Sequence, residues 1–222
     1  MLFLHGGGER GDDLDLVRKH GPLKEVANGR DLPFIILGPQ MPSRPANASR
    51  GRRPEPWPAG ERKPMLRETT GAVRSWYRFG PPNGWYENEG DLLTVVDDTL
   101  AECHADPDRV YLTGLSYGGF GTWYMASRHP ARWAAAAPIC GVGDLSEVHR
   151  IGGLPVWLFQ GGRDDLVLPE WSLATAEALD RAGGNVRVTV HEDLGHDCWT
   201  RVYGGQDLYD WFLSHVRRER SL

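Results

Sequence analysis

Three residue types at wide spacing could together perform acyl transfer. Gly114-Leu115-Ser116-Tyr117-Gly118-Gly119 matches G-x-S-x-G, and it follows the apolar run Val110-Tyr111-Leu112-Thr113 and precedes a helical stretch from Gly119 to about Arg128. Strand, tight turn and helix are the context this motif requires, because the turn leaves no room for side chains beside the serine. It would leave the Ser116 hydroxyl exposed at the end of a sheet. The amide of Tyr117, at the helix start, could donate to an oxyanion. A serine hydroxyl is a weak nucleophile until a base takes its proton. Of eight histidines, His196 in Asp193-Leu194-Gly195-His196-Asp197 lies in a loop after one apolar run and before the last helical pattern. A carboxylate is then needed to fix the imidazole tautomer. Asp164 and Asp165 follow the run Val156–Gln160, with Asp165 alternatively a turn cap and Asp144 a third choice. The chain order Ser, Asp, His is that of α/β-hydrolases and differs from chymotrypsin and subtilisin.

A second oxyanion donor should follow an early strand. His5-Gly6-Gly7-Gly8 comes directly after Leu2-Phe3-Leu4, and the amides of Gly7 and Gly8 are the nearest choices. The loop has neither G-x-G-x-x-G nor a GK[ST] ending, so a phosphate cradle is the weaker reading. No His, Cys and carboxylate cluster has metal-ligand spacing, so no catalytic metal is expected.

Elements must hold these groups. Short apolar runs predict strands at Leu2–Leu4, Phe34–Leu37, Arg109–Thr113, Ala134–Ile139, Val156–Gln160 and Val186–Val190. Helical spacing fits Asp91–Cys103, Glu170–Ala182 and Gln206–Val216, with Asp91 a capping residue. Strands alternating with helices predict an α/β fold with a mostly parallel sheet and helices on both faces. The chain opens inside a strand. Either it is a piece of a longer protein, or its sheet lacks the first edge strands. Its first residues show no basic start, no longer apolar core and no cleavage site, so a signal peptide is not expected within them. The compartment stays open, cytoplasmic or, with upstream sequence, secreted.

The 222 residues carry a net charge of −5, and about half are apolar once Gly is counted and Tyr is not. That excludes a disordered chain and argues against a nucleic-acid partner. No apolar run reaches the roughly 18 residues of a membrane span. One domain over 1–222 is expected. Residues 39–90 differ from the rest, with nine prolines and nine Lys or Arg against five Glu. A stretch this long is read either as a cover over a substrate cleft or as a surface insertion. Cys103, Cys140 and Cys198 are too few for a disulfide scaffold; Cys140 and Cys198 are expected near the sheet's C-terminal edge as small buried thiols, with a disulfide between them as the alternative.

The segments LFLHGGGERGDD, FIILGPQMP, DPDRVYLTGLSYGGFGTWYMASRHPARWAAAAPICG, LPVWLFQGGRDDLV and LGHDCWT resemble α/β-hydrolase esterases of the phospholipase/carboxylesterase or "predicted peptidase" type. These are relatives of polyhydroxybutyrate depolymerase-like and feruloyl esterases. The likeness covers most of the chain outside about Ser43–Gly84. It implies cofactor-free hydrolysis of a small-molecule or polysaccharide-linked ester; the alternatives are peptide hydrolysis or acyl transfer to another acceptor by the same triad, and a non-catalytic binding domain with this fold. The family's H-G-x-x-D-x-x-V pattern falls on Gln160–Val167 and selects Asp164 as the acid. It also implies that Glu9 and Arg10 brace the oxyanion loop through an ion pair. Trp199 resembles an aromatic near the family's histidine, and either lines the substrate pocket or anchors the last helix; Trp85 poses the same choice. Three departures stand out. Gln160 replaces the usual His, Tyr117 stands where Met is common, and the 39–90 insertion is long.

Overall fold

Every second residue of the apolar runs faces the same way, and the two sets bury in two separate cores. The computed structural model describes residues 1–43 and 84–217. Most of the sequence-predicted insertion, 44–83, lies outside them. Five strands, β1 (Leu2–Leu4), β2 (Tyr111–Leu115), β3 (Ala135–Ile139), β4 (Val156–Gly161) and β5 (Val186–His191), form a parallel sheet in the order β1-β2-β3-β4-β5. Leu2, Leu4, Leu112 and Leu158 pack on one face with α2 (Glu89–Glu102), α3 (Tyr117–Arg128) and α4 (Pro169–Arg181). Phe3, Tyr111, Trp157 and Phe159 pack on the other with α1 (Gly21–Ala27), α5 (Trp199–Gly204) and α6 (Asp207–Leu213). This is the period-2 alternation of strands covered on both sides. The expected helix over Gln206–Val216 is the shorter α6. The helix at Asp91 begins two residues earlier, at Glu89, with Asp91 in its first turn and Asn88 as N-cap residue. Among the described residues no helix is long and apolar enough to cross a membrane.

Phe34–Leu37 is not a full strand. It makes one parallel bridge, Leu2 to Leu37, with Phe3 N donating to Leu37 O (2.8 Å) and Leu37 N to Met1 O (2.9 Å). The next bond of that ladder would come from residue 39, a proline with no N–H to give. The bridge nevertheless lies on the side of β1 away from β2. The chain thus goes out to one side of β1 and returns to the other, and the carboxyl end of β1 is a topological switch point, where open α/β sheets form a crevice.

Two backbone contacts close this crevice. A Cβ on Gly118 would lie 1.8 Å from the Leu4 carbonyl oxygen, and one on Gly161 would lie 2.0 Å from that of Gly195. The first draws α3 onto β1, and the second draws the loop after β5 onto the end of β4. Gly118→Ala should destabilise the protein by about 3 kcal/mol or prevent folding, because backbone must move to admit the methyl group. Gly8→Ala, with nothing within 4 Å of the new Cβ, should change stability by less than about 0.5 kcal/mol. Urea unfolding of the two variants checks the contrast.

Candidate functional site

Ser116 sits between β2 and α3 with φ 51° and ψ −114°, a conformation that a residue with a Cβ rarely adopts. It persists because it is bonded on both sides. Ser116 N donates to Ile139 O (2.9 Å), and Ser116 O accepts from Phe120 N (3.1 Å). The flanking glycines are obligatory here. A Cβ on Gly114 would stand 2.4 Å from Gly118 O. The expected strand-turn-helix elbow is therefore present, its side chain aimed at the crevice.

The acid loop follows β4. Asp164 is 3% exposed, and its Oδ1 accepts the amides of Leu166 and Val167, each at 2.9 Å. Capping of that turn, assigned to Asp165 as an alternative, is thus performed by Asp164 itself. Asp165 is exposed. Gln160 Nε2 donates to Asp164 Oδ2 (3.0 Å) and to Val167 O (3.0 Å), so the residue in place of the family's His adds a third donor to the carboxylate. The base loop is bonded to the acid loop through its backbone. Gly162 N donates to His191 O and Arg163 N to Leu194 O, both at 2.9 Å.

These loops bring the three residues into line. His196 Nδ1 lies 2.7 Å from Asp164 Oδ2, and His196 Nε2 lies 2.8 Å from Ser116 Oγ. An ionised carboxylate only accepts, so in the neutral imidazole Nδ1 carries the proton and Nε2 is left to accept from the serine hydroxyl. Burial opposes charge on His196, but the hydrogen bond and negative charge of Asp164 prevail. The imidazole is raised from its ordinary 6.5 to about 9. Burial likewise pushes Asp164 up, yet its bonds to His196 and to the two amides bring it below the usual carboxylate value. Both shifts favour the imidazolium-carboxylate pair. The stability this gives through His196 is present below pH 6.5 and lost as pH rises through about 9.

The glycine loop after β1 lies beside this line. A Cβ on Gly7 would touch the Tyr117 ring at 3.7 Å, whereas Gly8 is exposed. His5, wholly buried, holds the loop. Its Nδ1 lies 2.6 Å from Gly6 O, and its Nε2 accepts from Met41 N (2.9 Å). The Glu9 and Arg10 brace differs from the expected ion pair. Arg10 Nε donates to Gly7 O (2.8 Å) while its guanidinium lies over the Tyr117 ring, and the Glu9 carboxylate lies 3.9 Å from His20 Nε2.

Both tryptophans are largely buried. Trp199 is 9% exposed and meets the His196 ring edge-on at 5.0 Å, supporting the imidazole from below. Trp85, 3% exposed, packs against His5 within the core. Sequence reasoning missed two supporting groups, His5 and Cys140. The Cys140 thiol donates to the His196 carbonyl at 3.3 Å from a backbone with φ 49°. Only the CG dipeptide after a predicted strand hinted at that turn. Cys140 Sγ, Asp164 and His196 offer donor atoms within 4.8 Å of one another. However, both His196 nitrogens and both Asp164 oxygens are engaged by protein groups.

Residues 66–157 match the prolyl oligopeptidase family (peptidase S9). The chain is similar to poly(3-hydroxyalkanoate) depolymerase C of Paucimonas lemoignei, 42% identical over 66 residues that make up 26% of this chain and 16% of the relative. It also superimposes on the crystal structure of a thermostable esterase with a TM-score of 0.68 and 31% identity, covering 97% of this chain and 54% of that one. Esterase PE8 shares the fold, with a TM-score of 0.60, 18% identity, and coverage of 91% and 88%. The chain thus spans about half the length of the thermostable esterase. Its fold is that of the α/β-hydrolases.

Asp164→Asn removes the charge that raises His196. The imidazole should then titrate well below 9, toward its ordinary 6.5, while Asp165→Asn should leave it in place. NMR titration of the histidine ring resonances checks both.

Proposed function

We propose that this α/β-hydrolase cleaves carboxylic esters with Ser116 as nucleophile, His196 as general base and acid, and Asp164 as the carboxylate that orients His196. The observation that carries the reading is the continuous line Asp164 to His196 to Ser116, ending on a serine held at positive φ. In the first half, His196 Nε2 takes the hydroxyl proton as Ser116 Oγ attacks the ester carbonyl carbon. The oxyanion is received by the Tyr117 amide at the start of α3 and by the amide of Gly7 or Gly8. Gly7, where an added Cβ would meet the Tyr117 side chain at 3.7 Å, is the better placed. Collapse breaks the ester C–O bond, and the imidazolium gives its proton to the departing alcohol. In the second half, His196 deprotonates water, which attacks the acyl-enzyme, and the acid leaves as Ser116 recovers its proton. Asp164 stays ionised throughout.

The similarity to a thermostable esterase and a depolymerase favours esters, small or attached to a polymer, as the substrate class. The match to the prolyl oligopeptidase family favours a second reading, amide hydrolysis by the same residues. Rates on matched ester and amide substrates separate the two, and the ester should be faster by orders of magnitude.

A fluorophosphonate should add once to the wild type and not to Ser116→Ala. That variant should lose on the order of 10⁶ in kcat, and Asp164→Asn roughly 10⁴. Retention of a tenth of the activity by Ser116→Ala would remove Ser116 from the mechanism. His196 must be neutral to act as base, so kcat/KM should climb with pH on a limb whose midpoint lies near 9, well above 6.5, and level only above it. A stopped pH profile with a p-nitrophenyl ester measures it.

A further inference from the structure

Two of the three cysteines meet at the foot of the His196 loop. Cys140 follows β3 directly, Cys198 lies two residues after His196, and both side chains are fully buried. Their sulfurs are 3.2 Å apart as free thiols. Fifty-eight positions separate them in the chain, so a bond between them would close a long loop. Cys140 also donates to the His196 carbonyl, which places the pair against the backbone that carries the imidazole. Cys103, at the end of α2, is exposed and apart from them.

We propose that Cys140 and Cys198 are a site of reversible oxidation, whose disulfide ties the His196 loop to the end of β3. The oxidant is a low-molecular-weight disulfide of the glutathione class. The Cys198 thiolate attacks one of its sulfurs, forming a mixed disulfide and expelling one small thiolate. The Cys140 thiolate then attacks the Cys198 sulfur and expels the second. Two protein thiols lose two electrons, the small disulfide gains them, and the two protons end on the released thiols. The sulfurs need to close by only about 1 Å to reach the roughly 2.05 Å of a disulfide. The neighbourhood explains why the bond forms during folding or local opening. The contact with Cys198 and burial push the Cys140 thiol far up, so the closed native pair is inert toward reagents in solution. A bond closing so long a loop restricts the unfolded chain, and it should act as a brace on the site.

The test uses the whole chain with Cys103→Ser, so that only the buried pair remains. The protein is unfolded, reduced and refolded in mixed reduced and oxidised glutathione. The expected product is about 2 Da lighter than the reduced protein, yields linked Cys140 and Cys198 peptides, and melts about 5–10 °C higher. Unfolding the same sample and refolding it in dithiothreitol should reverse the Tm gain, a comparison that needs no further variant. Cys198→Ser should show neither the mass loss nor the gain. Refolded protein that keeps two free thiols or carries only glutathione adducts would overturn the proposal. So would a linked form that melts no higher than the reduced one. All readouts are mass and Tm, so the result stands apart from whether Ser116 is a nucleophile.

Discussion

The contact between Gly118 and the Leu4 carbonyl sets the rest of the site. Backbone approaches backbone there with no room for a Cβ, which brings the first turn of α3 onto the end of β1. Three consequences follow from that one approach. The turn between β2 and α3 must be tight enough to hold Ser116 at φ 51°. The amide of Tyr117 comes to the mouth of the crevice. The glycine loop that continues from β1 is brought against Tyr117, where Arg10 and His5 hold it from either side. The strain at Ser116 is thus imposed by its neighbours and stabilised by its backbone hydrogen bonds to Ile139 of β3 and from Phe120 of α3.

The same device recurs on the other side of the site. Gly161 and Gly195 let the end of β4 and the loop after β5 share backbone hydrogen bonds, so Asp164 and His196 sit on one bonded unit. Burying a carboxylate costs several kcal/mol unless its oxygens are satisfied. Asp164 meets that condition through Leu166, Val167, Gln160 and His196. Its charge is thereby kept, and kept beside the imidazole. Trp199 beneath the His196 ring and Cys140 against its carbonyl restrict the remaining freedom of the base.

Much of this was readable in the chain because the strands are nearly continuous apolar runs and the serine motif carries its own flanking context. The glycines of the elbow were legible for the same reason that they are required, since no other residue fits. Legibility failed where long-range geometry decides. Phe34–Leu37 has the composition of a strand, but its extension depends on which residue must donate next, and that is Pro39. The short helices α1 and α5 hold too few turns for a periodic signal. Arg10 and Glu9 are adjacent opposite charges, which suggests a pair, yet each finds a partner elsewhere in the fold. The choice between Asp164 and Asp165 could not follow from residue type alone. It is decided by burial and by which carboxylate reaches His196.

The central claim is that Ser116 carries the acyl group during turnover. Acid quenching of the wild type during steady turnover of p-nitrophenyl acetate, followed by peptide mass analysis, tests this directly. An acetyl group on the peptide containing Ser116, absent in Ser116→Ala, is the predicted result. Turnover with the acetyl group on another residue, or with full activity in a protein that cannot be acylated at Ser116, would contradict the account.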